Sequence, residues 1–216
     1  MNYDYILFDL DGTLTDPKLG ITKSFAYALK YFDIPIENLD SLCKYIGPPI
    51  MDSFMDCGLS KEKALEAIEK YREYFKDHGI YENEVYDGVA QLLATLKSRN
   101  KKIMLATSKP EVFAKQILEH FELLTYFDFV GGSELNGNRS EKSEVIQYVL
   151  EEGKVTDLSK AVMIGDRKYD ILGAKEVGID SIGVLNGYGD QEELIAAGAD
   201  AIVTSVCELV DREEFL

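Results

Sequence analysis

Histidine, cysteine, proline and tryptophan are scarce in this 216-residue chain, at two, three, five and none. The histidines, His78 and His120, stand alone with no partner at ligand spacing, so they read as surface or internally satisfied residues rather than a metal centre. Cys43, Cys57 and Cys207 are odd in number and never fall at C-x-x-C spacing, which argues for reduced thiols rather than a disulfide framework. Positive charge is also short. Twenty-three lysines and arginines face 39 acids, a formal charge of −16. That field repels nucleic acids and anionic membrane surfaces, so neither a nucleic acid polymer nor a membrane is an expected partner. No long apolar run exists. Ile6-Leu7-Phe8 is far too short for a signal peptide or a membrane span, and Met1 to Tyr5 carries no basic n-region. The expectation is a cytoplasmic protein.

What is present is enough apolar material for a real core, 46% of residues. It is organised as alternating βα units. Buried-strand patterns fall at Tyr5–Phe8, Ile103–Ala106, Phe127–Val130, Ala161–Ile164, Ile179–Val184 and Ala201–Val203. Between them, residues 89–98, 111–120, 143–152 and 169–177 carry apolar side chains at i, i+3 and i+4, with Pro110 suited to a first helical turn. Strands alternating with helices predict a parallel sheet covered on both faces. Residues 17–83 break the rhythm and read as all-helical, with segments at 21–32, 39–45, 50–57 and 61–75, the last capped by Ser60. This predicts a helical insertion, residues 17–83, within a core formed by residues 1–16 and 84–216.

Four clusters of polar residues follow predicted strands, the edge at which parallel sheets bind ligands. The first is Asp9-Leu10-Asp11-Gly12-Thr13. Two close acids repel unless a cation separates them or one keeps its proton, which suits a nucleophile beside a proton donor; an Asp-rich turn has the same composition. The second is Thr107-Ser108-Lys109-Pro110, where hydroxyls and free N–H groups at a helix start suit an anion but also describe an ordinary N-cap. Third, Lys142 stands at a helix start against the dipole preference, and taken singly it also fits a surface lysine. The fourth, Gly165-Asp166 with Asp170, puts two acids at i and i+4, and oxygen ligands with few histidines suit Mg²⁺ better than zinc.

Taken together, these clusters resemble the haloacid dehalogenase superfamily of phosphohydrolases, in order, in rough spacing and over nearly the whole chain. Asp9-Leu10-Asp11-Gly12-Thr13 stands as its first motif, Thr107 as the second, Lys142 as the third, and Gly165-Asp166 with Asp170 as the fourth. The resemblance implies an α/β fold with a Rossmann-like core and an inserted all-helical C1 cap. It also implies site roles. Asp9 is the nucleophile that becomes an aspartyl-phosphate, and Asp11 is the general acid and base. Thr107, Ser108 and Lys142 bind the phosphoryl group. Asp9, Asp11 (through its backbone carbonyl), Asp166 and Asp170 hold or support Mg²⁺. The second acid, Asp11, favours phosphate esters over halides, because an alkoxide needs a proton to leave.

The run from Gly132 to Lys142, with Arg139 inside it, is similar to that of 5′-nucleotidase-like members. This implies a nucleoside 5′-monophosphate as substrate. Phosphoglycolate hydrolysis is the alternative, although Lys142-Ser143 departs from the Lys-Pro frequent in that branch, and a sugar phosphomutase is a further one. The implied partner is a small phosphorylated metabolite, and the implied assembly a monomer or homodimer. Ile46 to Phe54 would be the cap loop facing substrate, or an ordinary helix connection.

Overall fold

The computed structural model describes residues 2–216, which form two compact units, one comprising residues up to Asp16 with Val85–Leu216 and the other Pro17–Glu84.

The first unit is built on six parallel strands: β1 (Tyr5–Phe8), β4 (Lys102–Pro110), β5 (Phe129–Ser133), β6 (Ala161–Gly165), β7 (Asp180–Val184) and β8 (Ala201–Val203). Their order across the sheet is β5-β4-β1-β6-β7-β8, which puts the earliest strand in the middle. The short strands β2 (Thr15–Asp16) and β3 (Glu84–Val85) pair separately where the chain leaves and re-enters this unit. Helices α4 (Val89–Ser98), α5 (Glu111–His120), α6 (Lys142–Glu152), α7 (Lys168–Val177) and α8 (Gln191–Ala197) complete it.

Alternation along the strands divides the core. Leu7, Met104, Ala106 and Met163 pack with Val145, Ile146, Val149 and Leu150 of α6 and Ala174 of α7. The intervening residues Ile6, Phe8, Ile103, Leu105, Val162 and Ile164, also fully buried, face the other side. Each large aliphatic side chain buried this way contributes about 1.5–3 kcal/mol. On both sides, strands enclosed by helices satisfy the α/β expectation.

Details differ from the sequence pattern for identifiable reasons. Strand β5 begins at Phe129 rather than Phe127, because the Asp128 carboxylate takes the Ile103 N–H (2.9 Å) and ion pairs with Lys97 and Lys102. Strand β4 runs on to Pro110 through a break in its register with β5 between Thr107 and Pro110, so Pro110 precedes α5 instead of lying in its first turn. Helix α8 has no counterpart in the apolar periodicity. It is short and acidic, and is delimited by its ends, with Asp190 accepting from Glu193 N at 2.7 Å and Gly198 left-handed at φ 89°.

The second unit consists of α1 (Lys18–Tyr31), a 3₁₀ segment (Leu39–Tyr45), α2 (Ile50–Asp56), α3 (Lys61–Tyr74) and a single π-helical turn (Phe75–Gly79). Its centre is aromatic: Phe25 contacts Tyr45, Phe54 and Tyr71 at ring distances of 5.3, 4.6 and 5.2 Å. Tyr71 is therefore a packing residue. Ser60 accepts from Lys63 N at 3.4 Å and caps α3.

Candidate active site

The register of the sheet gathers the four sequence clusters. Phe8 pairs with Leu105 on one side and Ile164 on the other, so Asp9, Thr107 and Asp166 all emerge at the carboxyl edge of three adjacent strands. Carboxylate oxygens of Asp9, Asp166 and Asp170 lie within 4.8 Å of one another. All three residues are buried, at 5%, 0% and 1% exposure.

Helices α6 and α7 bring two of the charges. Lys142 occupies the first position of a buried stripe that continues through Val145, Ile146, Val149 and Leu150. Asp170 likewise shares a stripe with Ile171, Gly173 and Ala174. Lys142 Nζ lies 2.9 Å from Asp9 Oδ1 and 2.8 Å from Asp170 Oδ1. Its well-aligned hydrogen bond goes to the Ala106 carbonyl at 3.1 Å. The two carboxylate oxygens accept no properly oriented hydrogen bond, so the ammonium meets them chiefly as a point charge.

Gly12 permits this closeness. It is left-handed, at φ 83°, and a Cβ there would stand 2.2 Å from Asp166 Oδ2. Each Asp166 oxygen already has a donor: Thr13 Oγ1 at 3.2 Å to Oδ1 and Tyr188 N at 2.8 Å to Oδ2.

The register break in β4 between Thr107 and Pro110 redirects a lysine into the site. Bulges redirect side chains, and here Lys109 reaches Asp11, with Nζ at 2.8 and 3.0 Å from the two carboxylate oxygens and both side chains nearly buried. Lys109 N also donates to Thr107 Oγ1 at 3.2 Å. Ser108 is half-buried, and its carbonyl accepts from Ser133 Oγ at 2.8 Å. Arg139, left-handed at φ 51°, donates to the Gly132 carbonyl at 2.8 Å, approaches Glu111 at 3.4 Å and stacks 3.7 Å over Tyr148. These contacts brace the loop before α6.

In their ionised forms, four aspartates against two lysines leave this buried cluster two negative charges in excess. Burial, followed by the neighbouring Asp170 and Asp9, holds the Asp166 carboxyl well above the ordinary range. Burial also raises Asp11 against the pull of Lys109, and pushes Asp170 up to about 6 despite Lys142. For Lys142, burial favours the neutral amine, yet Asp170 and Asp9 together outweigh it and raise its affinity for the proton.

The sequence pattern of the haloacid dehalogenase-like hydrolases matches residues 6–184. The chain belongs to that family. A 5′-nucleotidase of Pseudomonas aeruginosa is 45% identical over 198 residues, 91% of this chain and 89% of that protein. The tyrosine-protein kinase PtkA of Mycobacterium tuberculosis is 35% identical over 211 residues, covering 98% of this chain and 72% of its own. A crystal structure described as a predicted phosphatase from Clostridium acetobutylicum superposes with a TM-score of 0.95 at 51% identity, covering 98% of both chains. This haloacid dehalogenase-like hydrolase is a phosphatase. Family phosphatases generally use a divalent metal, and the Asp9–Asp166–Asp170 cluster is chemically suited to one. Among the described residues, no helix is long and apolar enough to cross a membrane.

Two parts of this site lay outside the sequence reading: Lys109, quoted in the second cluster without a role, and the loop around Gly187-Tyr188-Gly189. The signal for Lys109 was its position two residues beyond Thr107 at a strand end. The ion pair with Asp11 has a measurable stability consequence. Lys109→Met leaves a buried carboxylate without its counter-ion and is expected to cost roughly 3 kcal/mol near neutral pH. Adding Asp11→Asn removes the uncompensated charge and recovers most of that loss, as urea unfolding of the two single variants and the double variant would report.

Proposed function

We propose that this phosphatase hydrolyses a nucleoside 5′-monophosphate, in two steps, through a phosphoryl-enzyme on Asp9. The observation that carries the reading is the convergence of Asp9, Asp166 and Asp170 to within 4.8 Å, with the Lys142 ammonium beside two of them. The Pro17–Glu84 unit is taken as the C1 cap of the family, and residues up to Asp16 with Val85–Leu216 as its catalytic core.

In the first step an Asp9 carboxylate oxygen bonds to phosphorus. The ester P–O bond breaks, and the leaving alkoxide takes a proton from the Asp11 carboxyl. In the second, Asp11 removes a proton from water, the water oxygen bonds to phosphorus, and the bond to Asp9 breaks to free inorganic phosphate. Lys142 neutralises charge on the phosphoryl oxygens. Thr107, whose oxygen already accepts from Lys109 N, keeps its hydroxyl hydrogen to donate to them. Ser108 is assigned with Thr107 to the phosphoryl pocket.

Mg²⁺ would be held by Asp9, Asp166 and the Asp11 backbone carbonyl, with Asp170 in support. The fit rests on this chain's own groups, an excess of two negative charges and carboxylate oxygens at Asp9 and Asp170 without oriented donors. When bound, the ion neutralises phosphate charge and polarises the P–O bonds.

Support for the nucleotide comes from the Gly132–Lys142 run and from the 45% identical 5′-nucleotidase. Phosphate release from a panel of nucleoside 5′-monophosphates, phosphoglycolate and hexose phosphates tests it in the presence of Mg²⁺. The nucleotides are expected to lead by about tenfold or more in kcat/KM. A lead for phosphoglycolate would overturn the substrate, and sugar bisphosphate appearing without free phosphate would overturn hydrolysis.

A further inference from the structure

The segment from Asn186 to Glu193 supplies none of the residues assigned above, yet it encloses Asp166 on several sides. Asn186 Nδ2 donates to the Gly12 carbonyl at 3.2 Å, and its Oδ1 accepts from Val206 N at 3.2 Å. Tyr188 N donates to Asp166 Oδ2 at 2.8 Å, while the Tyr188 hydroxyl donates to Asp16 Oδ1. Glu193 Oε1 accepts from Arg167 Nε at 2.9 Å and from Lys168 N at 2.8 Å. It thereby pins the two residues that follow Asp166 and lead into the turn bearing Asp170.

Steric room points the same way. A Cβ on Gly187 would stand 2.3 Å from Asp166 Oδ2 and 2.3 Å from the Gly12 carbonyl, and one on Gly189 would stand 2.0 Å from the Asp166 carbonyl. Neither backbone oxygen can yield without moving the first or the fourth motif. A side chain at 187 therefore turns the Asp166 carboxylate or parts the two loops.

We infer that the Asn186–Glu193 segment is a positioning element of the metal centre, with Gly187 and Glu193 as its determining residues. It holds one Asp166 oxygen through Tyr188 N and fixes the backbone that presents Asp166 and Asp170 together. Groups that orient metal ligands without touching the ion commonly govern affinity by 10–100-fold. The inference rests on the metal reading proposed above.

The test is Mg²⁺ binding by calorimetry to the full chain, stripped of metal with a chelator, for the parent, Gly187→Ala, Glu193→Ala and Asp166→Asn. The Kd for Mg²⁺ is expected to rise about 10–100-fold in Gly187→Ala and about tenfold in Glu193→Ala. In Glu193→Ala, the KM for the phosphomonoester at saturating Mg²⁺ stays near the parent value. A role confined to folding would lower the unfolding temperature and leave the Kd unchanged, and would overturn the inference. Loss of turnover in Glu193→Ala that saturating Mg²⁺ does not restore would overturn it too. If Gly187→Ala does not fold, Glu193→Ala decides. Asp166→Asn separates the two readings. Parent-like Mg²⁺ affinity in that variant sinks the metal assignment itself, whereas its loss there with unchanged affinity in the other two sinks only the role of the segment.

Discussion

Asp9→Asn is expected to lower phosphomonoester turnover by about 10⁴-fold or more while leaving the folded chain intact. An amide has no anionic lone pair to offer phosphorus, and no other residue of the cluster is placed to substitute. Asp11 is engaged by Lys109 through both oxygens. Stability should not suffer, because the exchange removes one of three buried carboxylates gathered within 4.8 Å. Lys142 retains Asp170 at 2.8 Å as its partner. The metal-free variant should unfold at the parent temperature or above it. Acid-quenched mass spectrometry during turnover should find a phosphoryl adduct on the parent and none on the variant. Turnover of Asp9→Asn at the parent rate would remove the covalent pathway from consideration.

Withdrawal of divalent metal should be nearly as severe, with turnover falling about 10³-fold or more on chelation and returning with Mg²⁺. The same cluster makes stability depend on pH in a definite direction. Burial pushes Asp170 up to about 6 and holds Asp166 well above the ordinary range, whereas an unfolded aspartate titrates near 3.9. The folded state therefore binds these protons more tightly. The stabilisation is complete below about pH 4 and is lost as the pH rises through about 6, with Asp170 alone contributing on the order of 3 kcal/mol. Mg²⁺ binds the ionised carboxylates, so its effect runs oppositely. The rise in melting temperature caused by Mg²⁺ should be largest above pH 6 and small below pH 5. Melting curves between pH 5 and 8, with chelator or with Mg²⁺, measure this directly. A Mg²⁺ shift that does not vary with pH would separate the ion from these aspartates.

Much of the fold was legible in the chain, because strands buried on both faces leave short apolar runs and covering helices leave a 3.6-residue stripe. β1 and β8 fall on the residues expected, as does α4. Legibility failed where a polar side chain replaced a backbone partner, as Asp128 does before β5, or where a helix was too short to show a period, as with α8. In the site, motif residues could be listed, but their association depends on strand register, which composition does not encode. Lys142 and Asp170 had a further signature, charges at core-facing positions of otherwise apolar stripes. Lys109 depended on an irregularity in β4. The loop carrying Gly187 has no such signature, because what matters there is its close approach to the Asp166 carboxylate and the Gly12 carbonyl.

The place of β1 between β4 and β6 bears on how the protein is made. The strand that leads to Asp9 leaves the ribosome before either neighbour, and its two edges find partners only after about a hundred and then a hundred and sixty further residues are synthesised. Pairings so distant in sequence slow folding and leave strand edges exposed meanwhile. A nascent chain interrupted before β6 would carry Asp9 and Asp11 on an incompletely paired strand. Such fragments should be inert toward phosphate esters and prone to association.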